Sequence, residues 1–127
     1  MKHQAMPADL CILIRRPPYG SISAAEGIRH LVGALGCDLA TIVVLVGDGV
    51  WVAKAGQEAG HSGWTSLSEA LAGALRPTAG GPPVILAEVG ALARAGLTAQ
   101  DLVPGVIPAG PETIARAVAQ ARHVMLF

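Results

Sequence analysis

The sequence predicts an α/β domain with a parallel sheet, and three features point there. Thr41–Val46 is a β-branched, apolar run with no polar alternation, the pattern of a strand covered on both faces. Leu10–Ile14 and Val84–Ala87 repeat that pattern. Segments with apolar residues at helical spacing lie between these runs and are joined by short turn-rich connections, so strands and helices alternate. Right-handed crossovers between such strands give a parallel sheet sandwiched by helices.

The elements follow in order. Leu10–Ile14 is the first strand, and Arg15, Arg16, Pro17, Pro18, Tyr19 and Gly20 form a loop that its prolines keep out of the helical region. Ser21 is the expected N-cap of a first helix reaching Leu35, with Ile22, Ala25, Ile28, Val32 and Leu35 at helical spacing and Gly36 as its stop. The strand Thr41–Val46 is broken by Gly47, Asp48 and Gly49. Val50–Ala53 reads as a piece that extends or re-enters the sheet, and a glycine-rich loop follows at 56–63. Trp64–Leu75 is the second helix, ended by Pro77, and the strand Val84–Ala87 follows the turn-rich stretch 78–83. Val89–Ala95 is a third helix closed by Gly96, and Thr98–Leu102 adds a helical turn. Val106 and Ile107 form a brief strand. Pro111 opens a fourth helix with Ile114, Ala117, Val118 and Ala121 on one face, and His123–Phe127 closes the sheet.

Composition bounds the function. A length of 127 residues with 52% hydrophobic residues supports one core and one domain over 1–127. Charged residues are only 14% and balance to zero, so there is no electrostatic footprint for nucleic acid or an acidic membrane. So little charge leaves a monomer's surface poorly covered, and a homo-oligomer or a partner subunit is expected. Two cysteines make no disulfide framework, the N-terminal residues have no apolar signal core, and no apolar stretch is long enough to span a membrane. A cytoplasmic protein is expected.

Ligands of open parallel sheets bind beyond the carboxyl ends of the strands. This puts the candidate site at Arg15, Arg16, Tyr19, Gly20 and Ser21 after the first strand, Asp48 and Gly49 after the second, and Glu88 after the third. Two guanidiniums and a phenol beside a helix start can hold an anion or an acidic partner group, and the competing reading is a tight turn with solvated arginines. Asp48 is either a ligand-orienting carboxylate or a turn residue. His61 in the glycine-rich loop and the flanking Trp51 and Trp64 are weaker candidates for acid–base work and for an aromatic wall. The four histidines share no metal-ligand spacing with each other or with the cysteines, no phosphate-binding glycine motif is present, and no nucleophile–base pair marks a catalytic centre. No metal and no cofactor are expected. Cys11 and Cys37 both fall at the amino edge of the sheet, where buried cysteines act as small hydrophobes.

Four segments carry a family resemblance. Residues 15–27, RRPPYGSISAAEG, and 45–57, LVGDGVWVAKAGQ, resemble the strand-loop-helix and Asp-Gly-Val-aromatic segments of the DsrE/DsrF/DsrH-like (TusB/TusC/TusD-like) sulfur-relay proteins, closest to the DsrF/TusC branch. Residues 91–103 and 121–127 fit the same pattern. The resemblance implies a three-layer α/β/α fold with a five-stranded, mostly parallel sheet, and assembly with DsrE/DsrH-like subunits or with itself. In the family the persulfide-carrying cysteine stands just before the third helix. The matching place here is near Glu88, so the resemblance implies an accessory subunit without the carrier cysteine. The stretch 61–81 departs from the family pattern. The alternative from the residues alone is a small-molecule or anion-binding α/β module that uses the carboxyl edge.

Overall fold

The computed structural model describes residues 8–57, 66–75 and 82–127. Five parallel strands, β1 (Leu10–Ile14), β2 (Thr41–Leu45), β3 (Val84–Glu88), β4 (Ile107–Ala109) and β5 (His123–Leu126), form one sheet in the order β4-β3-β2-β1-β5. The helices are α1 (Ser23–Gly36), α2 (Leu67–Ala74), α3 (Val89–Ala95) and α4 (Pro111–Gln120), with 3₁₀ turns at Gly47–Ala53 and Ala99–Asp101. This is the α/β fold expected.

The handedness of the crossovers distributes the helices. From β1 to β4 the chain steps in one direction across the sheet, so right-handed connections leave α1, α2 and α3 on one face. The step from β4 to β5 runs back across the sheet and puts α4 on the other. Ile12, Ile14, Val43, Leu45, Ile85 and Ala87 point to the three-helix face and pack with Ile28, Leu31, Leu67, Leu71 and Leu92. On the opposite face Cys11, Val44 and Leu86 are buried, while Val84, Ile107, Val124 and Leu126 are exposed, and α4 has no buried residue.

Several expectations need correction. Ser21 does not cap α1; Ile22 holds that position, and the Ser21 hydroxyl accepts from the Ser23 amide at 3.4 Å. The buried stripe of α1 is Ala24, Gly27, Ile28, Leu31 and Ala34, whereas Ile22 and Val32 are exposed. Small residues win that face because the helix presses against β1. A Cβ on Gly27 would stand 2.9 Å from Ile14 Cδ1. Gly36 stays helical, and Asp38 takes the left-handed backbone at φ 57°.

Val50–Ala53 is not a strand: these residues belong to the 3₁₀ helix Gly47–Ala53, and Val50, Val52 and Ala53 are apolar because they enter the helix-side core. The fourth strand shifts to Ile107–Ala109, since Pro108 is tolerated at a sheet edge where its missing N–H needs no partner. The second helix begins at Leu67, where the Ser66 side chain accepts from the Glu69 amide. Trp64, His61 and the stretch 58–65 lie outside the described residues, as do His3 and 76–81.

Candidate functional site

The strand–loop junctions at the carboxyl edge are built by close backbone approach. Gly49 lies directly over the last residue of β1, and a Cβ there would collide with the Ile14 carbonyl. This contact draws the 3₁₀ helix onto the sheet. Its far end is tied down by Gln57, whose Nε2 donates to the carbonyls of Trp51 at 2.6 Å and Lys54 at 2.8 Å, while the Ser66 hydroxyl donates to the Gln57 carbonyl at 3.0 Å. Gly56 reaches this arrangement with φ 77°. The Asp-Gly-Val-aromatic and Gly-Gln segments singled out in the sequence thus hold one rigid corner.

Beside this corner lies a cleft of about 320 Å³ lined by Gly47, Asp48, Trp51, Ala91, Arg94 and Ala95. Two spacings make it. Asp48 and Trp51 are three apart on a 3₁₀ helix, where side chains at i and i+3 eclipse. Ala91, Arg94 and Ala95 are i, i+3 and i+4 on α3 and share one face. Glu88 touches two of the lining residues: its Oε1 accepts from the Gly47 amide at 3.0 Å and lies 3.9 Å from an Arg94 guanidinium nitrogen. At that separation the Glu88–Arg94 pair is Coulombic, without a hydrogen bond.

Of the residues expected at the site, Asp48 lines the cleft together with Trp51, which also packs against the core, while Gly49 and Glu88 stand beside it without lining it. Arg15, Arg16, Tyr19, Gly20 and Ser21 stand at the same edge over β1 but do not line the cleft. Arg15 and Arg16 are exposed, Gly20 turns the loop with φ 101°, and the Tyr19 hydroxyl is buried with no hydrogen-bond partner among the described residues. Arg94 was missed by the sequence reading. Its signal was the small-residue pair Ala91 and Ala95 flanking a cation on one helical face.

The cysteines lie away from this cleft. Cys11 is enclosed within β1, and burial pushes its thiol up to about 11. Cys37 follows α1 and is exposed. His30 Nδ1 is within 2.7 Å of the Glu26 carbonyl and its ring packs 5.1 Å from that of Phe127. Among the described residues no cluster of three or more His, Cys, Asp or Glu side chains is arranged to hold a metal ion, and no helix is long and apolar enough to cross a membrane.

Comparison with known proteins agrees with this architecture. No curated protein matches the chain. Among solved structures, the crystal structure of the ychN protein from E. coli superposes with a TM-score of 0.80 at 21% identity, covering 96% of this chain and 100% of that one. At that identity the likeness speaks for the fold. The model of the DsrE/DsrF-like family matches residues 8–127, so the five-stranded sheet, its helices and the corner at Asp48 belong to a member of the DsrE/DsrF-like family.

Proposed function

We propose that this chain is an accessory, non-catalytic member of a sulfur-relay assembly, of the DsrF/TusC type, acting in the cytoplasm as one domain spanning 1–127. Glu88 carries the reading. It stands just before α3, near the place that the family resemblance gives to the carrier cysteine, and its carboxylate accepts from the Gly47 amide. A carboxylate has no sulfur to load, and neither Cys11 nor Cys37 is near that end of the sheet. The poor charge cover and the exposed Val84, Ile107, Val124 and Leu126 favour assembly with copies of itself or with DsrE/DsrH-like subunits.

The test is loading by a cysteine desulfurase with its cysteine substrate, followed by intact-mass spectrometry. The expected result is no stable gain of sulfur on the protein alone. One added sulfur mapped to Cys37 would make the chain a carrier. Light scattering over a dilution series reads the assembly, with a mass above the monomer expected.

A further inference from the structure

Asp48, from the 3₁₀ helix, and Arg94, from α3, line the same cleft, yet they form no ion pair with each other. Among the described residues the Asp48 carboxylate has no hydrogen-bond partner, and the side chain of Arg94, 70% exposed, has only the 3.9 Å approach of Glu88. A positive and a negative side chain therefore line one cleft without neutralising each other, and Trp51, Ala91 and Ala95 line it with them. The volume falls in the range of small-molecule sites.

The charge pattern selects the ligand class. A simple anion drawn to Arg94 would face both Asp48 and Glu88, and a simple cation drawn to Asp48 would face Arg94. A dipolar molecule satisfies both groups at once. The planar guanidinium suits a carboxylate, for which it offers a two-pronged donor, and Asp48 accepts from an ammonium. The apolar side chain of the ligand then covers Ala91 and Ala95 and lies against Trp51.

From this arrangement we infer that the cleft binds a small zwitterion of the free amino-acid class, with its carboxylate on Arg94, its ammonium on Asp48 and an apolar side chain against Trp51. This goes beyond the accessory role and does not depend on it, because no sulfur chemistry takes part. Glu88 keeps its bond to the Gly47 amide, and its weak hold on Arg94 is what the ligand carboxylate replaces.

The experiment uses the full chain and three probes: L-leucine, N-acetyl-L-leucine, which lacks the ammonium, and L-leucinamide, which lacks the carboxylate. Binding is read by calorimetry and by chemical-shift changes at Trp51, Ala91 and Ala95. Saturable binding of L-leucine is expected, with each blocked derivative about tenfold or more weaker, the loss of one charge-assisted contact. Asp48→Asn should erase the preference over the N-acetyl compound and spare that over the amide, and Arg94→Gln should do the reverse. Both residues are exposed, so thermal melting should be unchanged, and a lowered melt is answered by the reciprocal pattern of the other variant. Absence of saturable L-leucine binding, equal binding of all three probes, or a preference that survives both substitutions overturns the inference. Persulfide loading is measured separately, so either idea can fail alone.

Discussion

The two faces of the sheet share the same strands and differ in what covers them. On one, three helices close over Ile12, Val43 and Ile85, which have no exposure at all. On the other, α4 is the one helix among the described residues, and Leu126 keeps 61% of its surface exposed. The difference comes from strand order: three successive crossovers in one direction and a single return leave a three-to-one division of helices. Strand hydrophobicity is therefore uniform while burial is not, and the thin face is where stability and association part company.

The strongest way to break the helix-side face is at its corner. Gly49→Ala drives a methyl group into the Ile14 carbonyl, where neither backbone can yield, and is expected to cost more than ~4 kcal/mol or to abolish folding, as read by denaturant unfolding. Gly33→Ala, in open space on α1, is the control and should be neutral or stabilising by ~0.5–1 kcal/mol. Next in size is the direct contrast between faces: Ile12→Ala should cost ~2–5 kcal/mol and Leu126→Ala under ~1 kcal/mol in the same urea series. Equal losses would mean that the thin face is covered in solution.

The cysteines sharpen the comparison kinetically. Under native conditions iodoacetamide should modify Cys37 and spare Cys11 until the protein unfolds, with peptide mapping as the readout. Early labelling of Cys11 would show that the α4 side opens. Because the Cys11 thiol is raised from 9.0 to about 11, the fold favours its neutral form; that contribution is complete below pH ~9 and is lost as pH rises toward ~11. Alkaline unfolding should therefore be less steep in Cys11→Ala. The smallest effect is expected at the 3₁₀ turn, where the Thr98 amide and hydroxyl bond Asp101 and hold its carboxyl below the usual value of 3.8. That stabilisation is present above the ordinary carboxylate value and fades as pH falls through the lower folded one, so the small Thr98→Ala deficit should shrink in acid melts.

Strands and their direction were legible because β-branched runs such as Thr41–Leu45 admit little else. That Asp48, Gly49 and Glu88 share the carboxyl edge was legible because topology sends the loops after parallel strands to one edge. What escaped was tertiary. Val50–Ala53 has strand-like composition, but the tight approach of Gly49 to Ile14 turns it into a 3₁₀ helix, and nothing local encodes that contact. The buried stripe of α1 followed Ala24 and Gly27 rather than the bulkier Ile22 and Val32, because close approach to β1 outweighed side-chain hydrophobicity. Arg94 entered the cleft through the packing of α3 beside the 3₁₀ helix, a neighbourhood that one-dimensional spacing cannot express.

The pairing of β1 with both β2 and β5 also sets an order of events during synthesis. The first four strands and their crossovers can assemble as they emerge, each on its predecessor. β1 must wait for its second neighbour, because β5 follows every other element. Until then one side of β1, with Cys11 and Leu13, is an unpaired apolar edge of the kind that templates intermolecular pairing. The return crossover through α4 therefore decides when the nascent sheet stops being sticky, and slow or truncated translation between β4 and β5 would show as aggregation rather than as lost activity.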